Sequence, residues 1–392
     1  MEIGTEAGVQ IEGRSLDGTG LRLRIDGSVI AAVEPAPDAD PTQLLLPGLI
    51  DSQVNGFAGA DVNAEDVSVE VITALTRSLV AEGVTGFCPT VISASPDRIR
   101  AALGVIRAAT EQDQLVAACI AGIHVEGPAI SAEDGVRGAH PAEVLRDPDP
   151  AELADWIDLA GGLLRVVTLA PERPGSYDFI RAARDAGVRV AVGHTAAAPE
   201  QIHRAAEAGA TLSTHLGNGA HPMLPRHPNY LWAQLADDRL SAGLITDGHH
   251  LDADTATAMI RAKGLGRTFL ISDAAALAHC PPGDYRTPVG GSVTVGTDGS
   301  LKLTGTNLGA GSGSSLRECL AWALDNLRFE PAELLAMATT IPAALLGLAG
   351  RGVLESGARA DLVVTDAALR PRQVLVAGRT VSASGEISGS SA

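Results

Sequence analysis

Through the middle of the chain, short apolar runs alternate with longer amphipathic segments. The runs at 44–51, 86–90, 117–126, 164–169, 189–194, 211–215, 242–247 and 268–273 have strand length and are mostly apolar, as strands buried on both faces are. Ala-rich segments with apolar residues at helical spacing lie between most of them, at 68–82, 97–110, 177–186 and 200–208. Eight strands in alternation with helices predict a closed parallel (β/α)8 barrel. The rival, an open doubly wound sheet, usually carries a Gly-rich phosphate loop after its first strand. Here the first run continues as Asp51-Ser52-Gln53-Val54-Asn55-Gly56, which matches no nucleotide fingerprint.

Both chain ends read differently. Around Asp26-Gly27 apolar and polar residues alternate with period two, the mark of a half-buried hairpin. Two short apolar runs, 361–365 and 373–376, follow near the other end. The economical arrangement is a small β-sandwich domain built from 1–46 and 350–392, flanking a barrel domain of 47–349. The small polar tail, 382–392, is expected to fray.

Composition narrows the class. The 392 residues are 45% apolar, enough for a substantial core. The formal charge is −18. Such a surface repels nucleic acid and anionic membranes, so neither is expected as a partner. A small anionic substrate is still allowed, because one arginine can hold a phosphate. Cys88, Cys119, Cys280 and Cys319 are scattered and form no CxxC pair, so reduced structural thiols are expected. No basic-then-apolar leader and no long apolar span is present, and a cytoplasmic enzyme is the default expectation.

The chemistry gathers at the ends of the predicted strands, where barrel enzymes place their sites. The third strand ends in His124-Val125-Glu126-Gly127-Pro128, the fifth in Gly193-His194-Thr195, the sixth in Thr214-His215-Leu216 and the eighth in Ser272-Asp273-Ala274. Each residue alone has a plain structural reading, as a turn residue, a helix cap or a hydrogen-bonded histidine. Together, Glu126, His194 and His215 at one barrel mouth make a ligand set suited to one divalent ion. Zn²⁺ is the default, and Fe²⁺, Co²⁺ and Mn²⁺ also suit these donors. Asp273 is the candidate general base: it can take a proton from water and return one to a leaving amine.

At these residues the chain resembles the N-acetylglucosamine-6-phosphate deacetylase family of the amidohydrolase superfamily. The resemblance runs through Pro47-Gly48-Leu49-Ile50-Asp51, His124 to Pro128, Gly193-His194-Thr195, Thr214-His215-Leu216, Asp247-Gly248-His249-His250 and Ser272-Asp273-Ala274, in the family's order. It implies a barrel with a β-sandwich from both chain ends, and hydrolysis of the N-acetyl group of an amino sugar 6-phosphate. Many amidohydrolases carry His-x-His after the first strand to hold a second metal. Gln53 and Asn55 stand there instead, as in mononuclear members of the family. Lys263 and Lys302 are the only lysines, and neither follows the fourth strand. A carbamylated bridging lysine is thereby excluded.

The resemblance also implies substrate roles. His140 matches a histidine that polarises the amide carbonyl. Asn218, Gly219 and His250 match sugar-phosphate contacts, and Gln53 joins the expected substrate-binding set. Arg226 matches an arginine that reaches the phosphate in the neighbouring subunit of a homodimer. Two segments depart from the family pattern. "HLGNGAHPM" replaces His-x-x-Asn-Ala-Met, and "GTNLGAGSGSSL" is longer than its counterpart. A differently shaped pocket is expected, so a deacylase of another N-acyl amino sugar or an N-acyl amino acid is the enzyme alternative. A non-catalytic sugar-phosphate binding protein is the alternative of another class, and the intact Asp273 and ligand set speak against it.

Overall fold

The computed structural model describes residues 8–287, 291–306 and 308–381, with the backbone of 387–388. Most of the 382–392 tail lies outside the described residues, and so does Asn307 of the lengthened segment.

Eight parallel strands form the barrel: β1 (Leu49–Val54), β2 (Val84–Ile92), β3 (Ile123–Glu126), β4 (Leu164–Leu169), β5 (Arg189–Val192), β6 (Leu212–Ser213), β7 (Ser241–Leu244) and β8 (Thr268–Leu270). Their spatial order is their chain order. Closure comes at the C-terminal rim, where Val54 bridges Ala274 in parallel and the Asp273 amide donates to the Gln53 carbonyl at 3.1 Å. Helices Val69–Ala81, Pro96–Gln112, Ser176–Asp185 and Pro199–Ala208 cover the outside, each within two residues of its expected span. At the other rim, helix Thr340–Leu346 plugs the barrel. Its Ala343 and Leu346 pack against Ile50, Cys88, Val166, Ala191, Leu212 and Phe269. Burying one such aliphatic side chain contributes about 1.5–3 kcal/mol.

Two barrel strands begin well after the start of their apolar runs. The run at 44–51 splits at Gly48. Leu44–Pro47 pairs with Leu362–Thr365 outside the barrel, and β1 starts at Leu49. A Cβ at Gly48 would lie 2.1 Å from Thr85 Oγ1, so only glycine lets the chain pass there. The run at 117–126 begins as helix Gln114–Cys119. Asp113 caps it, accepting from the amides of Leu115 and Val116. Apolarity alone could not separate that helical turn from a buried strand.

The strands of both chain ends join in one eight-stranded sheet, with Leu44–Pro47 and Leu362–Thr365 as its seam. The sheet curls until Val29 bridges Arg359, and Ile11, Leu23, Ile30, Leu45, Leu362 and Leu375 share one core. We propose the two end segments, 1–46 and 350–392, as a unit separate from the barrel of 47–349. Arg351 links the end segments to the barrel. Arg351 Nε donates to Asp361 Oδ2 at 2.9 Å, and its Nη2 donates to the Thr85 carbonyl at 2.7 Å.

A three-stranded antiparallel sheet, Gly283–Thr287, Gly291–Val295 and Leu301–Leu303, follows β8. It was not expected. Its signal was present, since Asp298-Gly299 sits between period-two runs, a strong hairpin pattern. All four cysteines are free, as expected. No helix among the described residues is long and apolar enough to cross a membrane.

Candidate active site

Each candidate ligand sits where the chain leaves a strand at the C-terminal rim. Glu126 ends β3, His194 and His215 lie two residues past β5 and β6, and Asp273 lies three past β8. His194, His215 and Asp273 all take positive φ, at 47°, 27° and 50°. That region costs a non-glycine residue on the order of 1–3 kcal/mol, and such strain concentrates at functional sites. Here it turns three polar side chains inward at once.

The three ligand atoms are close. His194 Nε2 lies 3.5 Å from Glu126 Oε1, His215 Nε2 lies 3.1 Å from the same oxygen, and the two Nε2 atoms are 3.0 Å apart. His194 Nδ1 donates to the Val136 carbonyl at 2.7 Å, which leaves Nε2 with its lone pair. Lone pairs held this near repel each other unless a proton or a cation sits among them. Metal bonds of about 2.0–2.2 Å at tetrahedral angles space ligand atoms by roughly 3.3–3.6 Å. The donor set therefore fits one divalent cation.

The same crowding governs protonation. Burial pushes His215 down, but the hydrogen bond and charge of Glu126 outweigh it and raise its pKa to about 9. Glu126 is buried, which raises its pKa, yet His194 and His215 hold it well below the usual carboxylate range. A fourth group adjoins the trio. Glu126, His140 and His194 also lie within mutual reach of one ion. His140 Nε2 faces the other carboxylate oxygen, Glu126 Oε2, at 3.8 Å, and its Nδ1 meets Ser93 Oγ at 2.8 Å.

A cavity of about 350 Å³ opens over this cluster. It is lined by Glu126, His140, His194 and His215, and by Asn218, Gly219, His250 and Asp273. Eight of the ten expected site residues therefore meet at one mouth. Gly219 has φ 54°, and a Cβ there would lie 2.8 Å from His194 Nδ1, so backbone must pass against the imidazole. Asn218 Nδ2 is buried without a partner, leaving a donor for a ligand. His250 Nδ1 meets Asp247 Oδ2 at 2.8 Å. Asp247 also accepts from Ser312 Oγ and from the amides of His249 and His250. Burial opposes its ionisation, but the bonds to His250 and these amides drive its pKa well below the ordinary value.

Two expected residues stand elsewhere. Gln53 does not line the cavity. It is buried beneath, donating from Nε2 to Glu126 Oε1 at 2.9 Å, so it orients the carboxylate instead of meeting a ligand. Arg226 is exposed on the loop after His215 and does not line the cavity of its own chain. Four residues were missed. Asn55, read only as an absent metal ligand, donates from Nδ2 to Asp273 Oδ1 at 2.7 Å. Ser93 follows β2, and a polar residue at that strand end was a usable signal. Val293 and Leu303 of the inserted sheet give the cavity an apolar wall, joined by Leu308 of the lengthened segment, where a differently shaped pocket was expected.

Known proteins share this arrangement. The amidohydrolase family pattern matches residues 44–382. The chain is 35% identical to N-acetylgalactosamine-6-phosphate deacetylase of Escherichia coli O157:H7, covering 92% of this chain and 94% of that one. It is 35% identical to N-acetylglucosamine-6-phosphate deacetylase of Bos taurus, covering 86% and 83%. Its structure is similar to a Mycobacterium smegmatis N-acetyl-D-glucosamine-6-phosphate deacetylase variant in complex with N-acetyl-D-glucosamine-6-phosphate. The TM-score is 0.84 at 31% identity, over 95% of this chain and 99% of the other. The chain belongs to the amidohydrolase family and, within it, to the N-acetylglucosamine-6-phosphate deacetylase family.

Proposed function

We propose that this protein hydrolyses the N-acetyl group of an amino sugar 6-phosphate, with N-acetylglucosamine 6-phosphate as the leading substrate. The products are glucosamine 6-phosphate and acetate. The observation that carries this reading is the convergence of Glu126, His140, His194, His215 and Asp273 on one cavity. Glu126, His194 and His215 would hold one divalent ion, Zn²⁺ by default, whose Lewis acidity makes water nucleophilic near neutral pH. Asp273 takes a proton as water oxygen bonds to the acyl carbon. It passes a proton to the nitrogen as the carbon–nitrogen bond breaks. His140 donates to the acyl oxygen while negative charge builds there. Asn218, Gly219 and His250 hold the sugar phosphate.

The galacto epimer is a second candidate, because the Escherichia coli relative of that specificity spans most of the chain. Measuring kcat/KM for both phosphorylated epimers, their unphosphorylated forms and N-acetyl amino acids tests the reading. Preference for an N-acetyl amino acid would overturn it.

One tight metal per chain is expected, since Gln53 and Asn55 already hold Glu126 and Asp273 by hydrogen bonds. The ion must also displace the proton that Glu126 keeps on His215. Affinity should therefore fall about tenfold per pH unit as pH drops below about 9. Competition titration of metal-free protein with a chelator reads both quantities. Two tight ions per chain, or an affinity constant between about pH 6 and about pH 8, would contradict this site.

We further propose a cytoplasmic homodimer in which Arg226 completes the partner's site. Arg226 follows His215 by eleven positions, on a loop stiffened by Pro222, Pro225 and Pro228. Trp232 Nε1 donates to the Arg226 carbonyl, and Met223 and Trp232 beside it are 87% and 57% exposed. Such bare apolar side chains suit a subunit contact. A charge-assisted phosphate contact is worth roughly 1.5–3 kcal/mol. Arg226→Ala should then lower kcat/KM for the phosphorylated sugar by about 10–150-fold and spare the unphosphorylated one. Mixing Arg226→Ala with Asp273→Asn subunits should restore one working site per mixed dimer. Verified heterodimers without recovered activity would place Arg226 outside the partner's site.

A further inference from the structure

At the barrel rim opposite the catalytic mouth lies a second cavity, of about 440 Å³. Arg165, Arg184 and Arg189 line it, with Thr211 and the end of the plug helix, Leu345 to Gly347. No carboxylate lines it. Arg189 opens β5, and Arg165 sits where the register between β3 and β4 slips, so neighbouring strand starts deliver both guanidiniums to one place.

Two glycines make room for the side chains. A Cβ at Gly122 would lie 2.2 Å from Arg165 Cγ, and one at Gly209 would lie 2.8 Å from Arg184 Cδ. The arginine stems are thus seated on bare backbone.

Two of the three, Arg165 and Arg189, have no carboxylate partner among the described residues. Arg189 has no hydrogen bond or ion pair among the described residues, and burial alone acts on it, lowering its pKa. Arg165 bonds only the Gly162 carbonyl, whereas Arg184 is partnered, with Asp185 through Nε and Nη2 and with the Ala208 carbonyl through Nη1. Thr211 Oγ1 is buried without a partner. Unsatisfied donors in a concave site normally have an anionic or water partner. In a chain of net charge −18, two gathered cations without a carboxylate partner stand out from the overall field.

We propose that this cavity binds a phosphate-bearing small anion, at a site separate from the catalytic one. Guanidiniums grip two phosphate oxygens at once, and Arg165 and Arg189 bring two of them to this cavity. Inorganic phosphate and a sugar phosphate share this chemistry. The cavity adjoins the plug helix, whose Leu345 and Leu346 also border the space beneath Gln53 and His215, so an occupant touches the barrel's inner packing.

Equilibrium dialysis of the metal-loaded enzyme against labelled inorganic phosphate at low salt is the test. Wild type should bind one phosphate per chain that Arg189→Gln weakens at least about tenfold. Arg165→Gln should act likewise, and its exposed side chain keeps the test open if the first variant folds poorly. Neither residue lines the catalytic cavity, so kcat/KM should not change. In a second arm, glucose 6-phosphate competes for the same wild-type-minus-variant difference. Displacement at lower concentration than unlabelled phosphate identifies a sugar phosphate as the occupant, and displacement only at equal or higher concentration identifies free phosphate. Identical phosphate binding by wild type and both folded variants overturns the site.

Discussion

Asp273→Asn should keep its metal and lose about 10²–10⁴-fold in turnover, the span typical of a general acid–base group. The backbone at Asp273 is clamped on both sides. Its amide donates to the Gln53 carbonyl, and its carbonyl accepts from the Ser312 amide. Asn55 Nδ2 fixes one carboxylate oxygen at 2.7 Å and leaves the other for the reacting water. In the metal-free protein burial raises the Asp273 pKa, partly offset by the positive field of His215 and raised again by Glu126. A bound divalent ion would supply the positive field in place of the His215 proton. A raised pKa brings the carboxylate nearer the proton affinity that a base working close to neutral pH needs. The sign follows. Below the raised pKa the acid form cannot accept a proton, so turnover falls as pH drops through it. An amide has no such transition, so the variant's residual rate should be flat across that limb. Metal content checked by elemental analysis separates a lost base from a lost ion. Turnover near wild type in a metal-loaded variant would remove Asp273 from this role.

The barrel was legible because its strands are buried on both faces and read as apolar runs. The run at 164–169 coincides with Leu164–Leu169. The clustering of the candidate ligands was legible because parallel barrels deliver strand ends to one rim, so residues 89 positions apart, Glu126 and His215, become neighbours by topology. Partners within the rim were not legible. Gln53 and Asn55 stand at alternate positions on and just beyond β1, and nothing local tells which amide turns to Glu126 and which to Asp273. That choice is set by where β3 and β8 sit around the closed ring. The split at Gly48 was hidden for a similar reason, since it depends on the approach of Thr85 from another strand. The sheet after β8 was readable, from Asp298-Gly299 between two period-two runs. It matters for the site, since its Val293 and Leu303 line the catalytic cavity from that side.

His140→Asn should lower kcat by about 10²–10³-fold, with KM changed little and the metal retained. The side chain is neutral at working pH. Burial, then the nearby charge of His194, pushes its pKa down to about 3, and Glu126 only partly opposes this. It therefore cannot act as a cationic acid and must work through one ring hydrogen. Which nitrogen carries that hydrogen depends on Ser93. If the Ser93 hydroxyl donates to Nδ1 across the 2.8 Å contact, Nε2 carries the hydrogen and aims a donor at the cavity. If Nδ1 donates to Ser93 instead, Nε2 offers a lone pair and His140 becomes a further metal ligand. Distance favours the donor. His140 Nε2 stands 3.8 Å from Glu126, against 3.1 Å for His215, and it faces the other carboxylate oxygen. Ser93→Ala should then depress kcat in the same direction but less, because the tautomer loses its support while the ring stays. Loss of metal from His140→Asn would make it a ligand, and a change in KM alone would make it a binding residue. Only a kcat loss in metal-loaded protein fits a hydrogen bond that strengthens as the acyl oxygen becomes an oxyanion.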